Sequence, residues 1–336
     1  MPPRKNEDVS LEESALPKLV APQADSWKFQ ISYFNVALFT YYHTAALYGL
    51  YLCFTSARWA TVFFAATLME ASTLGAMSGA HRLWAHRSYK AKLPLQLILL
   101  LLQTLSGQYS VYVWVRQHRL HHRYSDTDAD PHNATRGLFF SHVGWCLVKQ
   151  HPEVARRGAS TDMSDILNNR ILMFQRKHAF ILFTLICYVI PTAIPMYFWG
   201  ETLNNAWNMN IMRFMLCLTF TSLINSAAHT FGNRPYDKEV VPTQNMAVSI
   251  LTLGEGFHNY HHTFPWDYRA GELGDWCNFS KTFIDFFAWI GWAYDLKTVD
   301  KNTIIKRAKK CGDGSYLRES EDEGLFGEKG QPTTTS

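Results

Sequence analysis

The sequence predicts an all-α integral membrane protein: four transmembrane helices in two hairpins under a helical cytosolic cap holding a di-metal site. Three observations predict it. Four apolar blocks are long enough to cross a bilayer, Lys and Arg are distributed one-sidedly, and nine histidines fall in four clusters.

Residues 1–27 are polar and Pro-containing, with no apolar run of the signal-peptide kind, and read as a disordered cytosolic tail. Residues 28–315 read as one membrane domain, and residues 316–336, ending GEKGQPTTTS, as a second disordered tail. A span needs about 20 apolar residues. The blocks at 31–54, 59–80, 179–199 and 211–231 meet that length, and the third is kinked by Pro191 and Pro195. The block at 93–113 begins with a shorter apolar run, Leu93–Leu105, which suits a helix lying in the interface. If His81 and His118 serve one metal site, a full crossing between them is excluded as well. The segment 81–178 carries 14 Lys and Arg, whereas the connectors 55–58 and 200–210 carry only Arg58. The positive-inside rule then places 81–178 and both termini in the cytosol.

Overall composition is less telling. Hydrophobic residues make up 47%, aromatics 15%, and the net charge is +4. So mild a positive balance, without a basic run interleaved with aromatics, does not suit nucleic-acid binding. The six cysteines form no CxxC pair and read as small buried hydrophobes in a reducing compartment.

The histidine clusters are His81-Arg-Leu-Trp-Ala-His86, His118-Arg-Leu-His121-His122, Asn225-Ser-Ala-Ala-His229 and His258-Asn-Tyr-His261-His262. On a helix at about 100° per residue, HxxHH fans three rings over about 100° of one face, so it can serve two metals side by side. His81 and His86, about 140° apart on a straight α-helix, cannot share a face, so the helix is expected to end or bend between them. Asn225 and His229, four apart, do share one. Nine imidazoles exceed the four ligands of a structural zinc and suit two metals with open positions, although imidazole suits Fe, Cu, Zn and Ni alike. Asp126, Asp128, Asp130 and Glu255 are candidates to orient the rings, since ligand imidazoles usually donate their second N–H to a carboxylate. The Asp126-x-Asp128-x-Asp130 run is not an EF-hand, because Pro131 and Gly137 stand at its obligatory Gly and Glu positions. His132, His142, His151 and His178 lie outside the spacing and read as hydrogen-bonded cap residues.

The stretches GAHRLWAHRSYKAKLPL, HRLHHRYSDTDADPHNATRGLFFSHVGW, NSAAHTFGNRPYDK and GEGFHNYHHTFPWDYRAGELG resemble the animal acyl-CoA desaturases of the stearoyl-CoA desaturase family, over about residues 28–315. AALYGLYLCFTSARWAT, WGETLNNAW and WIGWAYDLK are most similar to its moth branch, which includes sex-pheromone enzymes. The resemblance implies two irons per chain, dioxygen, electrons from cytochrome b5 and its reductase, an acyl-CoA substrate and an endoplasmic-reticulum membrane. It implies His81, His86, His118, His121, His122, His229, His258, His261 and His262 as direct metal ligands, with Asn225 holding a metal through water. It also implies Asn35, Arg116, Arg176 and Lys177 beside the CoA head group, and Gln108, Trp114 and Thr221 at the bend of an acyl tunnel. Gln117 stands where many members carry an acid, and the runs Leu105–Gln108 and Ala76–Ser78 also depart from the family pattern. These departures surround the tunnel and leave double-bond position open between Delta-11, favoured, and Delta-9.

An unactivated methylene needs a metal-activated oxidant, so the chain's task is to hold an acyl chain beside the metals and exclude water. Two alternatives share parts of this pattern: another histidine-box oxygenase (a hydroxylase or an acetylenase), and a non-enzymatic membrane metal transporter. One further expectation concerns Glu70 and His43, which fall at similar depth on adjacent spans: either they pair at the tunnel floor, or a protonated Glu70 bonds a backbone carbonyl.

Overall fold

A computed structural model describes residues 28–272 and 275–316. The expected tails, 1–27 and the rest of 316–336 beyond Tyr316, lie outside the described residues. Tyr316 itself is buried, with its hydroxyl on Glu272. The described chain is mostly helical. Its one sheet pairs Lys90–Ala91 (β1) antiparallel with Ala293–Tyr294 (β2), tying the cap's last stretch to the segment after His86.

Helix α1 (Tyr33–Thr55) packs along the Leu203–Ser226 helix. Helix α2 (Trp59–Leu74) packs on Leu203–Ser226 and on α3 (Leu93–Ser106). Three helical stretches are long and apolar enough to cross a membrane: Trp59–Ala85, Ala179–Trp199 and Leu203–His229. Helix α1, expected as a span from its apolar block, is not among them, because five Tyr and three Thr dilute its 23 residues. Its outer face is nevertheless apolar and exposed at Phe34, Leu47 and Phe54, as are Phe63, Phe180 and Phe198 on the other spans. A belt of exposed large apolar side chains on helices with satisfied backbones is a lipid-facing surface.

Two connections are tighter than the apolar blocks suggested. The last span starts at Leu203, not 211, so most of the expected 200–210 connector is helical. Thr202 caps this helix by accepting from Asn205 N. The buried Glu201 beside it accepts from Arg58 N at 2.9 Å, Thr61 Oγ1 at 2.6 Å and Asn205 Nδ2 at 3.0 Å. One carboxylate thus joins the two connectors at the end of the bundle away from the histidines.

The expected interfacial helix at 93–113 is instead broken. Helix α3 ends at Gly107, and α4 (Val111–Tyr124) leaves at 83° to it. Gly107 is required twice over. Its φ is +70°, and a Cβ would sit 2.7 Å from the Phe214 ring and 3.0 Å from Cys187 Sγ. The break turns α4 and its histidines toward the other histidine clusters.

The second span ends between His81 and His86, as their spacing predicts, with Ala85 its last residue and His86 its cap. The form of that end was not predicted. The chain widens into a π-helix over Gly75–Ala85, in which His86 N donates to His81 O at 3.1 Å. Five residues make little more than one π turn, so both rings fall on one face.

Candidate metal centre

Nine histidine rings converge in two groups above the spans. His81, His86, His118, His122 and His261 form one group, and His121, His229, His258 and His262 the other, with ligand nitrogens within 4.8 Å of one another in each. Each HxxHH fan contributes rings to both groups. On α4, His118 and His122 go to the first group and His121 to the second; on the His258–Thr263 helix, His258 and His262 go to the second and His261 to the first.

The separations fit metal coordination. Nε2–Nε2 distances are 2.7 Å for His86–His118, 2.9 Å for His81–His261, 3.0 Å for His122–His261 and 3.1 Å for His229–His258. Adjacent corners of an octahedron with metal–nitrogen bonds of about 2.1 Å are about 3.0 Å apart. Nε2 of His121 and of His262 is fully buried without a hydrogen-bond partner, which is costly unless a ligand takes the lone pair.

The opposite ring nitrogens are held by acids. His121 Nδ1 meets Asp130 at 2.9 Å, and His229 Nδ1 meets Asp126 at 3.0 Å. His81 Nδ1 lies 2.9 Å from Glu255, in close contact rather than an aligned hydrogen bond. The protons therefore belong on Nδ1 of His121 and His229, leaving Nε2 lone pairs aimed inward. The loop after α4 is folded for this purpose. Asp130 accepts from the N–H of Asp126 and of His132, both at 2.9 Å, and Asp126 accepts from Ala134 N at 2.8 Å. Asp128, expected with them, pairs instead with Arg136 at 2.7 Å.

Electrostatics favour the ligating forms. Burial first, and neighbouring rings second, hold His86, His118, His122, His258, His261 and His262 far below the ordinary histidine range, so they stay neutral. Burial opposes ionisation of the acids, but His229 holds Asp126 below its usual range, His121 does the same for Asp130, and Arg82 and His81 bring Glu255 down to about 2. At His121, burial depresses the ring, but Asp130 more than offsets it and raises it.

Two arginines lock the frame. Arg82, fully buried, donates to Glu255 at 2.8 and 3.0 Å and to the carbonyls of Tyr268 and Arg269. Arg119 of α4 reaches the carbonyls of Trp84 and Ala85 at 2.8 and 3.2 Å, fixing α4 against the π-helix. Sequence reasoning missed both; their one signal was an Arg directly after the first His of the first two boxes.

An apolar cavity of about 380 Å³ descends from the histidines between the spans. It brings together Asn35, Gln108, Trp114, Thr221 and Asn225. Gln108 Nε2 donates to Thr221 Oγ1 at 3.0 Å, and Trp114 stacks on His118 with ring centres 4.9 Å apart. Arg116, Arg176 and Lys177 do not line it. Arg176 covers the Tyr112 ring at 3.7 Å with Arg116 on the same ring at 5.9 Å, and Arg176 and Lys177 are exposed. At its deep end lie Tyr42 and Tyr188, whose hydroxyls are 3.1 Å apart, and Phe214; none of the three was singled out from the sequence. His132 also lines the cavity, against Trp145. His142 bonds Ser226 and His151 accepts from Glu153 N, as expected of hydrogen-bonded cap residues, whereas His178 packs on Phe174 and His132 Nδ1 is buried without a hydrogen-bond partner.

The Glu70–His43 contact does not form. Both residues are exposed on the outer surface of their helices, His43 bonds Phe39 O at 2.7 Å, and neither lines the cavity.

The fatty acid desaturase family model matches residues 22–271. The chain is 59% identical over 305 residues to an acyl-CoA Delta(11) desaturase of Spodoptera littoralis, covering 90% of each chain. It is 54% identical to an acyl-CoA Delta-9 desaturase of Acheta domesticus, covering 88% of this chain and 84% of the relative. It is 46% identical to the stearoyl-CoA desaturase of Homo sapiens, covering 88% and 82%.

Proposed function

The chain belongs to the fatty acid desaturase family, and from that premise we propose that it is an acyl-CoA desaturase that introduces a double bond into a long saturated acyl chain. The carrying observation is the cavity that runs from two histidine groups down between the spans. The nine histidines would hold two irons, with Asn225 acting through water. Bound iron would supply the oxidising power, drawn from dioxygen and from electrons delivered by cytochrome b5 with its reductase, that removes two hydrogens from a methylene pair.

The chain's own residues do the selecting. The apolar wall takes a featureless acyl chain out of water, and Gln108, Trp114 and Thr221 turn it so that one carbon pair faces the rings. Burial of the rings keeps bulk water from the reacting carbons. Arg116, Arg176 and Lys177 would meet the CoA phosphates at the cytosolic surface, where cations form charge-assisted bonds, and Asn35 would stand at the cavity mouth. Identity is higher to the Delta(11) than to the Delta-9 relative, which supports Delta-11 insertion and a part in pheromone biosynthesis. Two hairpins would cross the endoplasmic-reticulum membrane, with residues 81–178 and both termini cytosolic.

Expression in a desaturase-deficient yeast tests this reading. Fatty acids unsaturated mainly at carbon 11 are expected; hydroxylated or acetylenic products, or none, would refute it. In sealed microsomes a tag near Asn205 is expected to resist protease while one near Ala159 is cut, and the reverse would invert the orientation.

A further inference from the structure

The Leu203–Ser226 helix carries a guanidinium at membrane depth. Arg213 lies ten residues beyond Leu203 (213 − 203), about 15 Å along the axis and near the middle of a hydrocarbon layer about 30 Å thick. It is 1% exposed. A cation at this depth is costly and marks a position with a task. Among the described residues no carboxylate hydrogen-bonds to it. Among its partners are two backbone carbonyls, Leu105 O and Cys187 O.

Pro191 has no N–H, so the carbonyl of Cys187, four residues earlier and within the π-helical stretch Thr184–Val189, cannot take an i+4 bond from it. Arg213 Nη2 at 2.9 Å and Asn210 Nδ2 at 3.0 Å donate to that carbonyl. Helix α3 stops at Gly107, which frees the Leu105 carbonyl, and Arg213 Nη1 donates there at 2.7 Å. Ser72 Oγ at 3.2 Å and Asn210 Oδ1 at 2.8 and 3.2 Å accept the other guanidinium bonds. One side chain therefore ties α2, the end of α3 and the Ala179–Trp199 span to its own helix. The tied piece is the corner that shapes the cavity: Gly107 packs on Cys187 and Phe214, and Gln108, next in sequence, lines the cavity and reaches Thr221.

We propose that Arg213 is a positioning residue for double-bond placement: by fixing the Leu105–Gln108 corner against Cys187 it sets the bend of the cavity, and so which carbons face the histidines. The proposal rests on the acyl-CoA desaturase reading above. Lysine keeps the charge but cannot reach Leu105 O and Cys187 O together.

The test is Arg213→Lys in the yeast host, with double-bond positions located in the lipids and iron per chain measured on the purified protein. Iron content is expected to match the parent, while the share of product unsaturated at neighbouring carbons rises by about tenfold, as a displacement well under the 1 Å that costs about 100-fold would give. Parental iron with a parental product distribution overturns the proposal. If Arg213→Lys does not accumulate, Asn210→Ala, which removes an acceptor but keeps the guanidinium, is read the same way. Failure of both to fold assigns Arg213 to stability alone and also overturns it. A parent that forms no double bond refutes the desaturase reading instead.

Discussion

The two histidine groups differ in how their rings are anchored. The first gathers five rings but has one acid, Glu255, behind His81, and that acid is already paired with the buried Arg82. The second gathers four rings and has two acids, Asp126 and Asp130, held largely by backbone N–H groups. In the first group the acid mainly braces the fold, and its charge is spent on an arginine. In the second, the acids press negative charge on the His121 and His229 rings and raise their basicity.

The largest expected effect breaks either group alike. His118→Ala or His258→Ala is expected to abolish desaturation in whole-cell lipid analysis, because a missing ligand misplaces the oxidant. Full activity in either variant would remove that group from the chemistry. The acids then separate the groups. Asp130→Asn is expected to weaken metal retention by about 10–100-fold against a chelator, with little change in unfolding temperature. Glu255→Gln leaves the Arg82 guanidinium buried and unpaired, and is expected to cost about 3–5 kcal/mol in stability. The opposite pattern, a fragile Asp130→Asn and a metal-poor but stable Glu255→Gln, would break the comparison.

Smaller effects lie outside both groups. The double variant Arg176→Ala with Lys177→Ala is expected to raise KM for acyl-CoA several-fold, with kcat and metal content unchanged. An unchanged KM would make these residues membrane anchors. Smallest is Asp165→Asn, which loosens the Arg119 and Arg87 pairs at 2.7 and 2.8 Å. Both are partly solvated, so chemical unfolding is expected to show about 0.5–1 kcal/mol; a larger loss would mean that Arg119 needs Asp165 to hold Trp84 and Ala85.

What the sequence could disclose followed helical arithmetic. Spacings of three and four residues put each HxxHH on one fanned face, but which ring joins which group came only from the structure. The five-residue spacing of His81 and His86 defeats the same arithmetic, because the helix widens by one residue per turn and an α-helical wheel has no place for it. Asp126 and Asp130 were legible from the needs of ligand imidazoles, although nothing in the spacing separated them from Asp128. Glu70 and His43 failed because depth along a helix says nothing of which way it faces, and both face outward. Arg213 was illegible: inside an apolar block it reads as an interruption, and its two carbonyl partners, Leu105 and Cys187, lie more than twenty residues away in sequence.

The account turns on two separate metal sites, so iron counting on the purified chain tests it most directly. The expected result is two irons per chain in the parent and about one in His229→Ala, which removes a ligand from the second group only. A parent holding a single metal, or zinc in place of iron, would contradict it.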